Sequence, residues 1–411
     1  MEQDDPRERR SPEEREWALM KKLPAVVRHV FDRAPGYRRR EPDVVPEEVT
    51  DRAALAKLKL VRKSELPELQ RADPPFGGLS TVAPPQAAKL FSSPGPVFEL
   101  EARSVDPWRA SRALRAAGFR SGDVVHNSFS YHLTPAGSMI ETAAHALGCA
   151  VIPAGTAPTE AQVTAAAQFR ATAYGGTPSF LKVLLDRAAE MGLDLSSLTR
   201  ASVTAEALPA VLRKGLAERG VQVLQWYGTA DAGLIAYETP AMEGLVVDED
   251  VILEIVRPGS GDPVPPGEVG EVVVTILSGD HPLLRFATGD LSAILPGQSP
   301  CGRTNVRIRG WMGRADQSTK VRGLFVHPSH LAELARRYPV VRRVRATVTR
   351  PGDLDVMTLR AEVAPEDRPR LAEALVATLR ELAQVRAEVE LVDLHSLPND
   401  GKVIDDQRPV G

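Results

Sequence analysis

The stretch Gly313-Arg314-Ala315-Asp316-Gln317-Ser318-Thr319-Lys320-Val321-Arg322-Gly323-Leu324-Phe325-Val326-His327-Pro328 decides how this chain of 411 residues is organised. A Gly-Arg turn is followed by an acidic residue, a basic strand and a second glycine. This order predicts a hinge and, after it, the first strand of a mobile lid. We therefore predict a large N-terminal domain over residues 1–315 and a small lid over residues 316–411, with Asp316 at the hinge.

Composition and charge exclude several classes of function. Hydrophobic residues make up 43% of the chain, charged residues 26%, and the net charge is -3, so neither a nucleic-acid partner nor a membrane surface is indicated. No window approaches the roughly 18 apolar residues of a membrane span. The two cysteines, Cys149 and Cys301, form no Cys-x-x-Cys pair, which argues against a disulfide framework or a zinc–thiolate cluster. The charged start lacks the apolar run of a secretory signal, and we expect a cytoplasmic protein.

The middle of the chain alternates short apolar strands with amphipathic helices. The predicted strands are 124–127, 149–153, 171–175, 201–204 and 221–225, and the predicted helices are 140–147, 159–169, 178–190 and 208–219. This alternation predicts an α/β fold with a mostly parallel sheet and helices on its faces. Pro-Gly turns within residues 244–277 favour a β-meander, and residues 317–411 predict a small α+β lid. An earlier helix over residues 17–33 has Pro24 as a candidate kink.

The sharpest local motif besides the hinge is Trp226-Tyr227-Gly228-Thr229-Ala230-Asp231, after the apolar strand Val221–Leu224. Ligands of α/β sheets bind beyond the carboxyl ends of strands, so a loop here is well placed. Gly228 permits close backbone approach, Thr229 offers a hydroxyl, and Asp231 offers hard oxygen ligands. The alternative is a surface turn capped by a Thr or Asp side chain, and the hexapeptide alone favours that alternative.

Two further motifs flank the hinge. Phe286-Ala287-Thr288-Gly289-Asp290 ends in a carboxylate with two acceptor oxygens, although a lone Gly-Asp is usually a turn. Leu397-Pro398-Asn399-Asp400-Gly401-Lys402 presents a lysine from a tight turn, although most lysines near a chain end are solvated. For Arg314 the alternative to a ligand contact is a surface ion pair.

Together these motifs resemble those of the adenylate-forming enzymes, a superfamily of acyl-CoA synthetases, luciferases and peptide-synthetase adenylation domains. The Arg-Gly-x-Phe-Val-x-Pro pattern after the hinge is most similar to the phenylacetate–CoA ligase branch. The resemblance runs from Arg33-Ala34-Pro35-Gly36-Tyr37-Arg38 to Lys402. It implies an acid–thiol ligase that uses ATP and Mg²⁺ to turn a small, aromatic carboxylic acid into an acyl-adenylate. Coenzyme A is the expected acceptor, and a phosphopantetheinyl carrier protein is the alternative.

The resemblance also implies roles for individual residues around the nucleotide. Tyr227 would stack on adenine, and Asp290 would hold both ribose hydroxyls with Arg314 as a further donor. The remaining residues expected to line the nucleotide are Gly228, Thr229 and Glu206. For Glu206 the alternative is a charge at the start of a helix.

Other implied roles concern the chemistry and the acid. Asp231 would contact magnesium, where the family usually has a longer Glu. Lys402 would bridge the attacking carboxylate and the α-phosphate, and the lid would rotate about Asp316 between the two half-reactions. Tyr131 and His132 would line the acyl pocket, with a satisfied core histidine as the equal alternative for His132.

The phosphate loop departs from the family pattern. Ser92, Ser93 and Gly95 match the family pattern, but the expected threonines and lysine are missing. In addition, two prolines remove backbone donors, and Glu99 would repel phosphate. We therefore expect weak ATP binding. Thr239 and Val246 stand near the positions of the family's usual Cys and His, so we predict no structural metal there.

Three questions stay open at the level of sequence. A degenerate paralogue that binds nucleotide or acyl-adenylate with little ATP turnover competes with an active ligase. The identity of the acid is undetermined, and a homodimer is not excluded. A dinucleotide oxidoreductase is not supported, since no G-x-G-x-x-G follows an early strand.

Overall fold

The computed structural model describes residues 5–93, 96–277, 281–315, 317–321, 324–351 and 355–408. The hinge residue Asp316 and the loop residue Gly95 lie outside these ranges. The chain divides into two compact units, a larger one of residues 1–253, 274–288 and 295–311 and a smaller one of residues 254–273, 289–294 and 312–411. The smaller unit thus takes in part of the predicted meander and the Gly289-Asp290 motif, and the predicted boundary after residue 315 stays a prediction.

The α-helices span the following residues: α1 Pro12–Arg33, α2 Pro35–Arg40, α3 Arg52–Leu55, α4 Leu66–Ala72, α5 Ser111–Ala116, α6 Ala136–Ala146, α7 Thr159–Gln168, α8 Pro178–Glu190, α9 Ala210–Glu218, α10 Pro328–Arg337 and α11 Leu371–Ala383. Helix α1 begins at a capping box of Ser11 and Glu14 and continues through Pro24, so the proline does not end it. A capping box satisfies two of the backbone N–H groups that a helix start leaves unpaired.

The strands span the following residues: β1 Val61–Arg62, β2 Lys89–Ser93, β3 Val97–Glu101, β4 Val124–Asn127, β5 Ala150–Pro153, β6 Ala173–Gly176, β7 Arg200–Val203, β8 Gln222–Thr229, β9 Gly233–Glu238, β10 Leu245–Val247, β11 Val251–Val256, β12 Gly270–Ile276, β13 Leu283–Ser292, β14 Ile294–Leu295, β15 Arg307–Ile308, β16 Thr319–Val321, β17 Leu324–Val326, β18 Arg343–Thr349, β19 Val356–Glu362, β20 Glu388–Val392 and β21 Ile404–Asp406.

The central sheet confirms the predicted α/β class. Its order is β14-β15-β10-β9-β8-β7-β6-β4-β5. Strands β5, β4, β6, β7 and β8 run parallel, as the alternating pattern predicts, whereas β8, β9, β10 and β15 pair antiparallel. The apolar faces of the covering helices bury residues such as Leu181, Leu184 and Val163 against this sheet. Burial of these side chains is the main favourable contribution to folding.

The predicted loop at residues 226–231 is wrong in its first part. Strand β8 continues through Thr229, because Trp226 and Tyr227 pair with Tyr237 and Ala236 of β9. A local pattern cannot reveal this pairing, since the partner strand supplies half of its hydrogen bonds. The turn is therefore confined to residues 230–232.

The smaller unit contains the predicted α+β elements. A four-stranded sheet of order β20-β19-β18-β21 and a two-stranded sheet of β16 and β17 accompany helices α10 and α11. Its core is continuous and apolar, and its fully buried members include Leu331, Leu334, Val348, Leu359, Leu375 and Leu379. The lid sequence therefore carries a hydrophobic core of its own.

The buried face of α8 provides a test of this packing. Leu184 is fully buried, whereas its neighbour Val183 is 47% exposed. Leu184→Ala should lower the free energy of unfolding by about 2–5 kcal/mol, because it removes buried methyl groups and leaves a cavity. Urea unfolding followed by circular dichroism measures the change, with Val183→Ala as the matched control. Equal effects of the two substitutions would contradict the assigned face.

Candidate active site

The turn that carries Lys402 is fixed by contacts within the smaller unit. Asn399 accepts a hydrogen bond from the Val269 amide at 3.0 Å and donates one to the Gly267 carbonyl at 3.0 Å. Gly401 has a φ of +72°, and a Cβ there would lie 2.6 Å from a methyl of Val269. Any side chain at residue 401 would be strained and crowded. The turn therefore presents Lys402 from a defined backbone position.

The Gly-Asp motif and the hinge arginine are paired. Asp290 accepts a hydrogen bond from Arg314 Nη1 at 2.9 Å, and the Ala315 amide donates to the Gly289 carbonyl at 2.7 Å. A Cβ on Gly289 would lie 2.6 Å from the Arg314 guanidinium, so glycine makes room for it. The structure thus brings Asp290 and Arg314, both predicted to contact the ribose, together. They form an ion pair, which was the alternative given for Arg314.

Arg314 and Lys402 line one cavity of about 250 Å³. Both lie in the smaller unit. The other residues that line the cavity are Leu291, Met312, Gly313, Gln317, Ser318, Thr319, Asp400, Ile404, Asp405 and Asp406. A cation pair beside hydroxyl and amide groups can bind a phosphate ester, because each supplies hydrogen-bond donors or positive charge to the anion. Asp290, Arg314 and Lys402 were predicted from separate motifs, and folding places them at or beside this cavity.

Lys402 is held by a carboxylate three residues further on. Its Nζ donates to Asp405 Oδ1 at 2.9 Å, and the side chain is half exposed. Although burial alone would raise the pKa of Asp405, hydrogen bonds from Lys402, Arg345 and Gln407 hold it well below the usual range. Asp405 is thus a charged partner of Lys402 across the neutral range.

Residues 227–229 occupy the end of β8 in the larger unit. Tyr227 is buried, and its hydroxyl donates to Thr288 Oγ1 at 3.1 Å. Gly228 faces the Gly233 carbonyl so closely that a Cβ would clash with it. Thr229 Oγ1 accepts from the Ala232 amide at 3.0 Å, which is the capping role of the alternative interpretation. Contacts of these three residues with a nucleotide stay a prediction.

Asp231, the predicted magnesium contact, is already bound to a cation. Lys63 Nζ lies 2.6 Å from its carboxylate, and the Asp231 side chain is only 7% exposed. Mg²⁺ usually takes one or two carboxylates together with phosphates and water. In this structure the ammonium of Lys63 lies where a magnesium ion on Asp231 would bind, and the contact between Asp231 and magnesium stays a prediction. The described part of the chain also contains no group of three or more His, Cys, Asp or Glu side chains that could hold a metal.

Two of the predicted phosphate-loop residues lie on a strand. On β2, Ser92 pairs with Phe98 and Ser93 with Val97 of β3. The Ser92 amide donates to the carbonyl of Leu133, and Ser93 Oγ donates to Glu99 Oε1 at 2.5 Å. A local pattern does not reveal this strand, because β3 supplies its pairing partner. Whether the two serines contact a phosphate stays a prediction.

Glu99, which lies on β3, has an unusual environment. It is 6% exposed, and among the described residues no donor reaches its Oε2. Burial raises the pKa of Glu99 to about 7, against a lowering hydrogen bond from Ser93, and the nearby charge of Asp231 raises it further. Glu99 and Asp231 line a small cavity of about 40 Å³ in the larger unit together with the half-buried His281, whose pKa desolvation lowers to about 4.

The remaining predicted residues lie at strand and helix ends. Glu206 is exposed and accepts a hydrogen bond from the Ser179 amide at 2.6 Å. It therefore caps the start of α8 and not the start of α9, the next helix after it in the chain. Tyr131 is partly buried and its hydroxyl accepts from Asn127 Nδ2 at 2.7 Å. His132 is exposed, which removes the core-histidine alternative. Whether these residues contact an acid or a nucleotide stays a prediction.

Sequence reasoning missed one basic residue in each unit. Lys63 pairs with Asp231 across 168 positions of sequence, and Arg345 reaches the Lys402 turn across 55. Lys63 follows Arg62, and Arg345 lies within β18 close to Arg342 and Arg343. No motif distinguishes them from solvated surface charges, so only tertiary contacts reveal them.

Comparison with known proteins is consistent with these motifs. A family described as AMP-binding enzyme matches residues 109–276. The phenylacetate–coenzyme A ligase of Thermus thermophilus is 32% identical over 372 residues, which cover 86% of this chain and 82% of that protein. The phenylacetate–coenzyme A ligase of Aromatoleum evansii is 29% identical over 398 residues, covering 92% and 89%.

A solved structure has the same fold. A 2-hydroxyisobutyryl-CoA ligase, crystallised in the postadenylation state with 2-HIB-AMP, aligns with a TM-score of 0.70 at 24% identity. The alignment covers 98% of this chain and 91% of that one. In the described part of the present chain, no helix is long and apolar enough to cross a bilayer.

The raised pKa of Glu99 predicts a pH-dependent stability. With a pKa of about 7 in the folded chain and 4.5 as its ordinary value, Glu99 binds a proton more tightly when folded. The stabilising contribution of this proton to the free energy of unfolding is fully present below pH 4.5 and is lost as the pH rises through 7. The total loss is roughly 3 kcal/mol. Glu99→Gln should therefore gain stability over the natural chain between pH 5 and pH 8.

Urea midpoints at several pH values measure this difference. The exposed Glu218, which lies 3.8 Å from Lys214, provides the matched control Glu218→Gln. A difference between Glu99→Gln and the natural chain that stays constant from pH 5 to pH 8 would show that Glu99 titrates normally.

Proposed function

We propose that this chain, which belongs to the phenylacetate–coenzyme A ligase family of adenylate-forming enzymes, activates a small carboxylic acid with ATP and transfers the acyl group to a thiol. In the first step a carboxylate oxygen attacks the α-phosphorus of ATP, the bond to the bridging oxygen breaks, and pyrophosphate leaves. In the second step a thiol attacks the acyl carbon, loses its proton, and displaces AMP. The sum is a thioester, AMP and pyrophosphate.

The observation that carries this proposal is the cavity shared by Arg314 and Lys402, with Asp290 paired to Arg314 at 2.9 Å. A nucleoside monophosphate ester has two features that this arrangement matches. Its ribose hydroxyls are donors for the Asp290 carboxylate, and its phosphate is an acceptor for Arg314 and Lys402. Three residues that recognise different parts of one nucleotide therefore belong to one compact unit.

Lys402 is the proposed catalytic residue of the first step. The attacking carboxylate and the α-phosphate both carry negative charge, and their approach is opposed by Coulomb repulsion. An ammonium between them lowers this repulsion and stabilises the charge of the pentavalent transition state. Gly401 and Asn399 support this role by fixing the turn, so that little reorganisation is needed when the substrates bind.

Magnesium enters this proposal as part of the substrate MgATP. No step of this mechanism depends on a contact between Asp231 and magnesium, since Lys63 pairs with that carboxylate in this structure. The acceptor is coenzyme A in the first instance, as in the names of the relatives. A carrier-protein phosphopantetheine has the same thiol, and assays with each acceptor separate the two.

A second candidate function is a protein that binds acyl-adenylate with little ATP turnover. The Glu99 carboxyl on β3 favours it, since this acidic group lies near the Asp231 carboxylate and neither group attracts a triphosphate. An ATP–pyrophosphate exchange screen over aryl and short-chain acids distinguishes the two functions. Exchange with one acid supports the ligase, whereas tight acyl-adenylate binding without exchange supports the binding protein.

Lys402→Ala should separate the half-reactions. Acyl-adenylate formation should fall by roughly 10²-fold or more, the scale of one lost electrostatic contact to a transition state. Thioester formation from supplied acyl-adenylate should survive, because no carboxylate attacks a phosphate in that step. Both half-reactions are assayed separately, with Lys214→Ala, a largely exposed lysine of α9, as the control. Equal losses in both steps would assign Lys402 a structural role.

Asp290→Ala should weaken every adenosine ligand, AMP included. The ribose hydroxyls and Arg314 would both lose their acceptor, at a cost of roughly 1–3 kcal/mol. Calorimetric titration with AMP measures the affinity, and Asp262→Ala, an exposed aspartate of the same unit, is the control. Unchanged AMP affinity in Asp290→Ala would place the ribose elsewhere.

A further inference from the structure

One arginine binds both carboxylates that contact Lys402. Arg345 lies on β18 and is only 8% exposed. Its Nη1 donates to both oxygens of Asp400 at 2.7 and 2.9 Å, and its Nη2 donates to Asp405 Oδ2 at 2.8 Å. One nitrogen shared between both oxygens of Asp400 and a second nitrogen bound to Asp405 hold the guanidinium in a single orientation.

Each of these carboxylates also binds a different part of Lys402. Asp400 Oδ1 accepts from the Lys402 backbone amide at 3.0 Å, and Asp405 Oδ1 accepts from the Lys402 ammonium at 2.9 Å. Gln407 donates at 2.8 Å to Asp405 Oδ2, the oxygen that also accepts from Arg345. Arg345 therefore acts on both the backbone and the charge of Lys402 without touching that residue.

The charges show what this arrangement achieves. Asp400 and Asp405 carry two negative charges, and Arg345 and Lys402 carry two positive ones. If Lys402 moves to a phosphate, Asp405 keeps the hydrogen bonds of Arg345 and Gln407. Its side chain is only 9% exposed, and a carboxylate this buried is costly when it has no cation. Arg345 thus lowers the free energy needed to move Lys402 away from Asp405.

We propose that Arg345 is a positioning residue that keeps Lys402 exchangeable between Asp405 and the substrate phosphate. This inference rests on the proposed function, in which Lys402 acts on the α-phosphate. Without Arg345, Lys402 becomes the main cation for Asp405, and the attraction between two poorly solvated charges is stronger than in water. The lysine is then retained on Asp405 when the phosphate needs it.

The proposal predicts a rescue that a purely structural role would not produce. Arg345→Gln should lower the maximal rate of acyl-adenylate formation by about tenfold or more, and it should leave thioester formation from supplied acyl-adenylate within about twofold. Adding Asp405→Asn removes the carboxylate that retains Lys402. The double variant Arg345→Gln/Asp405→Asn should therefore recover most of the lost rate, although it has fewer ionic contacts than the single variant.

The matched control is Arg360→Gln. Arg360 lies directly across from Arg345 on β19 and pairs with Glu390 at the surface, so its loss should leave both half-reactions unchanged. A double variant as slow as Arg345→Gln or slower, equal losses in both half-reactions, or an equal loss in Arg360→Gln would each overturn the proposal.

A second measurement needs no turnover. Acetylation of Lys402 by an N-hydroxysuccinimide ester, followed by peptide mass spectrometry with Lys214 as internal reference, reports how readily the ammonium leaves Asp405. Arg345→Gln should slow acetylation of Lys402 by roughly threefold or more, and the double variant should restore it. An unchanged acetylation rate in Arg345→Gln would overturn the proposal. If the natural chain adenylates no acid but this series holds, the proposed function fails and the effect of Arg345 on Lys402 stands.

Discussion

The pairing of residues 289–291 with residues 312–315 is the interaction on which the candidate site depends. The Gly289 carbonyl accepts from the Ala315 amide, and the Leu291 amide donates to the Gly313 carbonyl. These backbone bonds place Asp290 beside Arg314, two residues before the predicted hinge residue. Gly401 packs against Leu291, so the same short ladder also supports the turn of Lys402. Three motifs spread over more than 100 residues of sequence, from Gly289 to Lys402, thereby share one support.

The same electrostatic principle applies within each of the two units. In this structure Asp290 is paired with Arg314, Lys402 with Asp405, and Asp231 with Lys63. A buried or half-buried charge must be compensated, so an enzyme for a polyanionic substrate cannot leave its cations bare. Substrate binding is then an exchange of partners, and its free energy depends on how well the abandoned carboxylates stay solvated or paired. Arg345 and Gln407 provide that second partner for Asp405.

Strands β2 and β3 carry the residues from which weak ATP binding is expected. The two strands pair from Lys89 and Glu101 to Ser93 and Val97, and Ser93 donates a hydrogen bond to Glu99. The neighbouring carboxyls of Glu99 and Asp231 are compensated by the single cation of Lys63 in the contacts described above. Two neighbouring carboxyls beside one cation attract a triphosphate less than a cluster of cations would, and weak ATP binding stays a prediction.

The sequence by itself determined the fold class, the family and most of the elements, because periodicity and turn chemistry are local properties. Helix α8 and strand β4 agree with their predicted bounds, and Gly401 has the positive φ that its turn requires. The tertiary structure alone decided that β8 extends through Thr229, that Gly289 and Asp290 lie on β13, that the serines before Gly95 lie on a strand, and which carboxylates Lys63 and Arg345 bind. The physical reason is that strand pairing and ion pairing join residues far apart in sequence, so neither leaves a local pattern from which the partner can be identified.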